Sequence, residues 1–404
     1  MRSDDESAWA PLRRPVFRAF WIASLASNFG TWIHEVGAGW LMTNLDSSPE
    51  MVAAVRTAMS LPIVLLAVPA GVLADRVDRR RLLLITQCLM LSTTASLATL
   101  TATGVMTPWM LLSLTVVMGL GVVVHVPTWQ ASVPELVPKQ QIARAVALGS
   151  ISFNLARAAG PAIGGILIAS AGVWIAFAVN AASFAGVILV LLRWRRDQVE
   201  SSRGLSFGQS LYQGLRFVGT NPDLRNAMIG VFLFVLPASV FWSLLPLYAR
   251  QELSWAADGF GLLVGMVGLG AVIAASILPR IRKRFGTDGT VMIAMLIFAS
   301  GLLTLAHCRQ TSVIVAATVM MGGGWMMTLT SLNATAQVAL PKRMRARGMG
   351  CYLTAMALSM SIGSLAWGQL AGAAGIVWAQ SIAAATLVVT AAISLRFRLG
   401  TSLH

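Results

Sequence analysis

Long apolar blocks recur along this sequence, and no other feature limits its fold as severely. A polar opening carries Asp4, Asp5 and Glu6 and ends in Arg13 and Arg14. A long apolar stretch then begins, and further blocks follow at about 51–74, 82–104, 107–133, 143–169 and 173–192. A polar stretch, 193–221, separates these from six more, at about 222–249, 257–279, 289–307, 311–340, 347–373 and 375–395. A membrane-crossing helix needs about 20 apolar residues. Barrel strands would instead need alternating segments of roughly 10 residues. The blocks therefore predict an all-α integral membrane protein with twelve transmembrane helices, here spans 1–12. The first block lacks a small-residue cleavage signature and is read as a retained span, not a leader. Charged residues make up 11% of the 404, against about 25% in soluble domains, which excludes a cytosolic enzyme.

The net charge of +15 would point to nucleic acid in a soluble protein. Here it follows topology. All but four of the 30 Lys and Arg fall in alternate connections: before span 1, between spans 2 and 3, 4 and 5, 6 and 7, 8 and 9, 10 and 11, and after span 12. Only Arg250 and Arg309 fall in the other loops, and only Arg56 and Arg157 within spans. The positive-inside rule then places both termini in the cytoplasm. The expectation is a multi-pass protein of the bacterial cytoplasmic (inner) membrane, with the lipid bilayer and no nucleic acid as partner.

The chain also repeats itself. Residues 117–185 superpose on 320–388 at a constant offset of 203 without a gap. Pro138, Lys139, Ala143 and Arg144 meet Pro341, Lys342, Ala346 and Arg347, and Gly160, Gly165 and Gly172 meet Gly363, Gly368 and Gly375. The predicted organisation is two pseudo-twofold-related six-helix bundles, 1–192 and 222–404, joined by a cytoplasmic linker, 193–221. Such duplication is typical of secondary transporters.

Two motifs sharpen this. After span 2 the sequence reads Gly71-Val-Leu-Ala-Asp75-Arg76-Val-Asp78-Arg79-Arg80-Arg81. Gly71 is expected to permit close helix packing, Asp75 to satisfy a helix terminus, and the arginines to meet lipid headgroups or Asp75 and Asp78. In span 5, Asn154-Leu-Ala156-Arg157-Ala-Ala-Gly160-Pro161-Ala-Ile-Gly164-Gly165 sets small residues for close contact around a proline that removes a backbone hydrogen bond. The first string resembles the cytoplasmic signature loop of the major facilitator superfamily, with an acidic residue at 78 as in its siderophore-exporter branch. The second resembles the family's antiporter motif, with Ala156 in place of the first glycine. The resemblance implies the major facilitator fold, a gating loop in which Asp75 meets the start of span 11, export in exchange for protons, and a monomer.

Ionisable groups inside spans are few and costly, so they need a partner or a purpose. Ser24, Asn28, Thr31 and Glu35 share one face of span 1, which is expected to line the central cavity, with His34 about 100° away. Asn154 and Arg157 face one way in span 5, and their repeat equivalents are Ala357 and Met360. Glu35 is read as the proton site, with Arg157 as its partner or as an anion-recognising group. The alternative is a permanent Glu35–Arg157 pair holding spans 1 and 5. Arg56 is expected to snorkel to the interface. His125 either titrates or packs as a neutral residue. Trp32, Trp129, Trp242 and Trp325 either line the cavity or belong to interfacial belts.

No lysine follows a glycine, so the phosphate-binding loop of ATPases is missing. No cluster has metal-ligand spacing, no nucleophile–base pair stands out, and Cys88, Cys308 and Cys351 are scattered. No catalytic residue, metal or cofactor is expected. The reading is proton-coupled efflux of a small, partly apolar molecule such as a drug, siderophore or metabolite. Uptake by symport, or a sensor or scaffold without transport, are the alternatives.

Overall fold

The computed structural model describes residues 7–194, 216–341, 345–397 and 399; the side chains at 68, 72, 74–76 and 345–347 fall outside that description. Among the described residues there is no strand. The first six helices are α1 (Pro15–Leu45), α2 (Pro49–Arg76), α3 (Arg79–Ala102), α4 (Pro108–Ser132), α5 (Ile142–Ala171) and α6 (Trp174–Arg193). Prolines open α1, α2 and α4, where an absent backbone N–H leaves nothing unsatisfied. Helix α7 is Pro222–Gln251. One run, Ala257–His307, then holds two helices, α8 (257–285) and α9 (287–307), separated by a single non-helical residue, Gly286, at φ 69°. That left-handed backbone suits glycine, which has no Cβ to clash. Helices α10 (Thr311–Ala339), α11 (Arg345–Ala374) and α12 (Ile376–Ser394) complete the chain. Ten helical segments among the described residues are long and apolar enough to cross a membrane, and the 257–307 run is one of them. Its two arms, together with α1, give the twelve crossings.

The six helices of each half pack in the same order. In the first half α1 lies on α5 and α6, α3 on α4 and α6, and α2 on α4; in the second, α7 lies on α11 and α12, and the 257–307 run on α10 and α12. The halves meet through α2 with α11 and α5 with α8, and more lightly through α7 with α1 and α2. The outer helix faces expose Leu65, Ile85, Ile166 and Val389. Apolar side chains on an outward face are what lipid requires.

Candidate functional site

The halves close on each other at the end away from the arginine-rich loops. Along α5 and α8 the contact is made by backbone. A Cβ at Gly165 would lie 2.6 Å from the Ala257 carbonyl oxygen and 3.0 Å from the Cα atoms of Asp258 and Gly261. A Cβ at Gly261 would lie 2.5 Å from the Pro161 oxygen, and one at Gly268 2.7 Å from the Ala158 Cα. On the other seam Gly368 of α11 receives Ala53 of α2, and Gly372 receives the Glu50 carboxylate. Ser60 and Ser361 share a buried hydrogen bond of 2.7 Å. Arg250 reaches Asn44 and, at 3.1 Å, the Thr43 hydroxyl, while its guanidinium lies over Trp40. Trp40 in turn stacks on Phe260 at 6.1 Å.

Within this closed end, between the Ala53–Gly368 and Ser60–Ser361 contacts of α2 with α11, sits an ion pair. Arg56 Nη1 donates to Glu35 Oε2 at 3.2 Å, and the side chains are only 24% and 28% exposed. The guanidinium also lies 5.7 Å from the centre of the Trp242 ring, a favourable meeting of a cation with a π-face. Glu35, Arg56, Trp32 and Val36 from the first half and Trp242, Leu245, Phe260 and Val264 from the second enclose a space of about 10 Å³. Trp242 Nε1 is buried with no acceptor among the described residues. Trp242 also packs edge-on against Trp325 at 5.4 Å. The site therefore joins a carboxylate, its counter-ion and an aromatic wall at the junction of the halves.

The structure revises several sequence expectations. The partner of Glu35 is Arg56, not Arg157; Arg56 turns inward and does not snorkel. The pair comes together because α1 and α2 pack on each other and both meet α7. His34 is not beside the cavity. It is buried edge-on against Phe177 of α6 at 5.0 Å, because Gly30, His34 and Gly37 share the face on which α6 packs. His125 lies inside the first bundle, 3.3 Å from Gln87 Nε2 and 5.6 Å from Trp129. Asn28 donates to Ser152 of α5 at 2.9 Å, and Thr31 to its own helix at Ser27.

In α5 the small residues serve two neighbours. Gly160 admits Trp32 and Gly164 admits Ile33, both on α1, whereas Gly165 and Pro161 meet α8. Asn154 is exposed and donates to Ser150 O at 2.8 Å. Arg157 is half-buried, one turn beyond Phe153, whose ring is 6.1 Å from that of Trp32.

The loop after α2 also differs from expectation. Gly71 has nothing within 4 Å of a Cβ, so it does not serve close packing. The side chains of Asp75 and Arg76 lie outside the described residues. Asp78 caps α3 by accepting from Arg81 N at 2.8 Å. Arg79 donates to Glu135 at 2.6 Å and to Ala131 O at 2.8 Å, and Arg80 donates to the last carbonyls of α6, Leu191 and Leu192. These arginines bind within their own bundle, where helix C-termini present unpaired oxygens.

Toward the arginine-rich end the halves separate. Before residue 157, α5 is buried mainly where it meets α1, and beyond residue 271 α8 keeps only Ala274 and Leu278 buried before its last turns. An open cavity of about 480 Å³ lies there, lined by Leu329, Thr330, Asn333, Ala334, Gln337 and Val338 of α10. Sequence reading missed this polar stripe. Its signal was Thr330, Asn333 and Gln337 at i, i+3 and i+7 in an otherwise apolar span.

A family model described as transmembrane secretion effector matches residues 6–402. The staphyloferrin A transporter of Staphylococcus aureus is 26% identical over 285 residues, covering 70% of this chain and 72% of its own. The multidrug efflux pump Tap of Mycobacterium tuberculosis is 24% identical over 408 residues, covering 95% and 93%. Among solved structures, a bacterial homologue of the lysosomal transporter Spinster, inward-facing and occupied, superposes with a TM-score of 0.77 at 14% identity, covering 96% of this chain and 98% of its own. The nucleoside transporter NupG superposes at 0.73 and 14% identity, covering 95% and 99%. At such identity the structural likeness speaks for the fold alone.

Proposed function

The chain belongs to the transmembrane secretion effector family, within the major facilitator superfamily, and from that premise we propose that it exports a small, partly apolar molecule across the bacterial inner membrane in exchange for protons, by alternating access. It is a multi-pass membrane transporter, as its family and relatives are. Export, proton coupling, orientation and substrate class are our reading of the site.

One observation carries it: the Glu35–Arg56 pair lies against Trp242 where the two halves meet. When Glu35 takes up a proton, Arg56 loses its counter-charge and its hold on Glu35 weakens. Arg56 stacks on the second half, so the protonation state of Glu35 acts on the fit between the halves. A half-buried charge pair that loses one member is destabilised, though less than a fully buried one, and this supplies the drive to rearrange. The arginine bias supports placing the basic end in the cytoplasm, with both termini there. The described arrangement then opens toward the cytoplasm, as an exporter loading its substrate requires. The bundles 1–192 and 222–404 rock about the site, and Trp32, Trp242 and Trp325 offer apolar faces to the substrate. The multidrug efflux relative favours export, and the staphyloferrin A transporter favours a small organic molecule as the cargo.

The test is accumulation in everted vesicles under an interior-acid gradient. A panel of aromatic drugs and siderophores is offered with and without a proton uncoupler. Uncoupler-sensitive accumulation of at least one compound is expected, and its loss in Glu35→Gln. Full gradient-driven flux in Glu35→Gln removes Glu35 as the proton site. Flux in the opposite direction removes export.

A further inference from the structure

We infer that Arg157 is a recognition residue for an anionic group, a carboxylate or phosphate, carried by the transported molecule. The inference deepens the proposed function and rests on its reading of the space between the halves as the transport route. Arg157 sits at the middle of α5, fifteen residues into a helix of 30. It is half-buried, yet no carboxylate or hydrogen-bond acceptor among the described residues reaches its guanidinium, and Glu35 is already engaged by Arg56. A cation at membrane depth is expensive without a partner.

Its direction follows from the helix. Two sides of α5 are occupied, one by α1 through Ser152, Gly160 and Gly164, the other by α8 through Ala158, Pro161 and Gly165. Of the two remaining sides, Leu155, Ile163 and Ile166 mark the one facing lipid, at 50%, 41% and 61% exposure. At 100° per residue Arg157 lies opposite Ile166, on the face with Ser150 and Phe153 and between the directions of Gly164 and Pro161, where the α1 and α8 sides converge. Phe153 touches Trp32, a wall of the central chamber. Arg157 therefore looks into the passage, just on its open side. The fold does not require this cation, since the repeat-equivalent position holds Met360. A planar guanidinium with several donors is suited to a two-pronged anion. Neither motif strings nor the ion pair at Glu35 assigns this role.

The experiment uses the purified full-length protein in phosphatidylcholine nanodiscs. The probes are 2-naphthoate, 2-naphthamide and 2-naphthamidine, nearly equal in shape and differing in charge, and binding is followed by saturation-transfer NMR. The anion is expected to bind about tenfold more tightly than the neutral amide, the difference one charge-assisted bond supplies. Arg157→Met, which copies the second half, is expected to remove the preference, and Arg157→Lys to keep part of it. Equal binding of the three probes, a preference for the cation, no saturable binding of naphthoate, or a preference that survives in Arg157→Met each overturns the inference. The vesicle assay above is independent of these results, so export stands or falls separately. Repeating the titration in phosphatidylglycerol nanodiscs separates the source of the anion. Unchanged naphthoate binding supports a soluble substrate; its loss assigns the arginine to a lipid headgroup and overturns the substrate reading. If Arg157→Met is not monodisperse, Arg157→Gln takes its place.

Discussion

Filling Gly165 with one methyl group should push the closed seam apart. In Gly165→Ala the new Cβ stands 2.6 Å from a carbonyl oxygen and 3.0 Å from two Cα atoms. All three neighbours are backbone, so no side chain can rotate out of the way, and α5 and α8 must separate by some tenths of an ångström along the contact. Overpacking of this kind costs about 1–3 kcal/mol. The penalty exists only where the seam is closed. It therefore shifts the balance between this arrangement and one parted at the same end by roughly 5- to 150-fold. The assay is double electron–electron resonance between spin labels at Ala171 and Ala256, both exposed at that end, with Cys88, Cys308 and Cys351 replaced. A longer-distance population is expected to grow in Gly165→Ala and to dominate in Gly165→Val. Gly149→Ala, on the same helix with nothing within 4 Å of its Cβ, is the control and should leave the distribution unmoved. A wild-type distribution in Gly165→Val would refute the reasoning, because the seam would then not depend on backbone contact.

Removing Arg56 should be costly: Arg56→Met leaves the Glu35 carboxylate without its partner, and about 2–3 kcal/mol of stability, below the 3–5 of a fully buried pair, should vanish in thermal unfolding unless Glu35→Gln is added to restore it. His34→Leu should transport normally and lose less than about 1 kcal/mol, since neither ring nitrogen has a hydrogen bond to forfeit; loss of flux would return His34 to the passage. A double-mutant cycle on Ser60→Ala and Ser361→Ala should give a coupling of about 0.5–1.5 kcal/mol, the value of one hydrogen bond, and additive effects would show that the bond does not hold the α2–α11 seam. Glu135→Gln should weaken the tie of Arg79 to the turn that follows α4 and lower the unfolding temperature without altering substrate selectivity, which a panel assay checks.

The helices were legible because one rule governs them all: in lipid, backbone must satisfy itself, and apolar length reports where it does so. That rule says nothing about partners. Periodicity placed Glu35 on a polar face, but which helix brings the counter-ion depends on packing between separate elements, and Arg56 near the end of an apolar block looked like a snorkelling residue. The face of His34 was half-readable, since its offset from the polar face was clear, but Gly30 and Gly37 at helical spacing were the missed sign of the α6 contact. The connection between spans 8 and 9 was read as a loop because Arg280, Arg282, Lys283 and Arg284 ended the apolar block. Such residues are good helix formers, and the helix runs on to Gly286. The glycines around Pro161 were visible as a motif; their division between α1 and α8 was not.

Helix α5 is gripped unequally on its two sides. Toward α1, Gly160 takes in the Trp32 side chain, and Gly164 meets Ile33 through both its Cα and its branched side chain, so that this side interlocks. Toward α8 the two backbones lie bare against each other. A surface with few side chains across it can be drawn apart with few rotamers to reset, so of the two sides of α5 the one toward α8 yields at the lower cost.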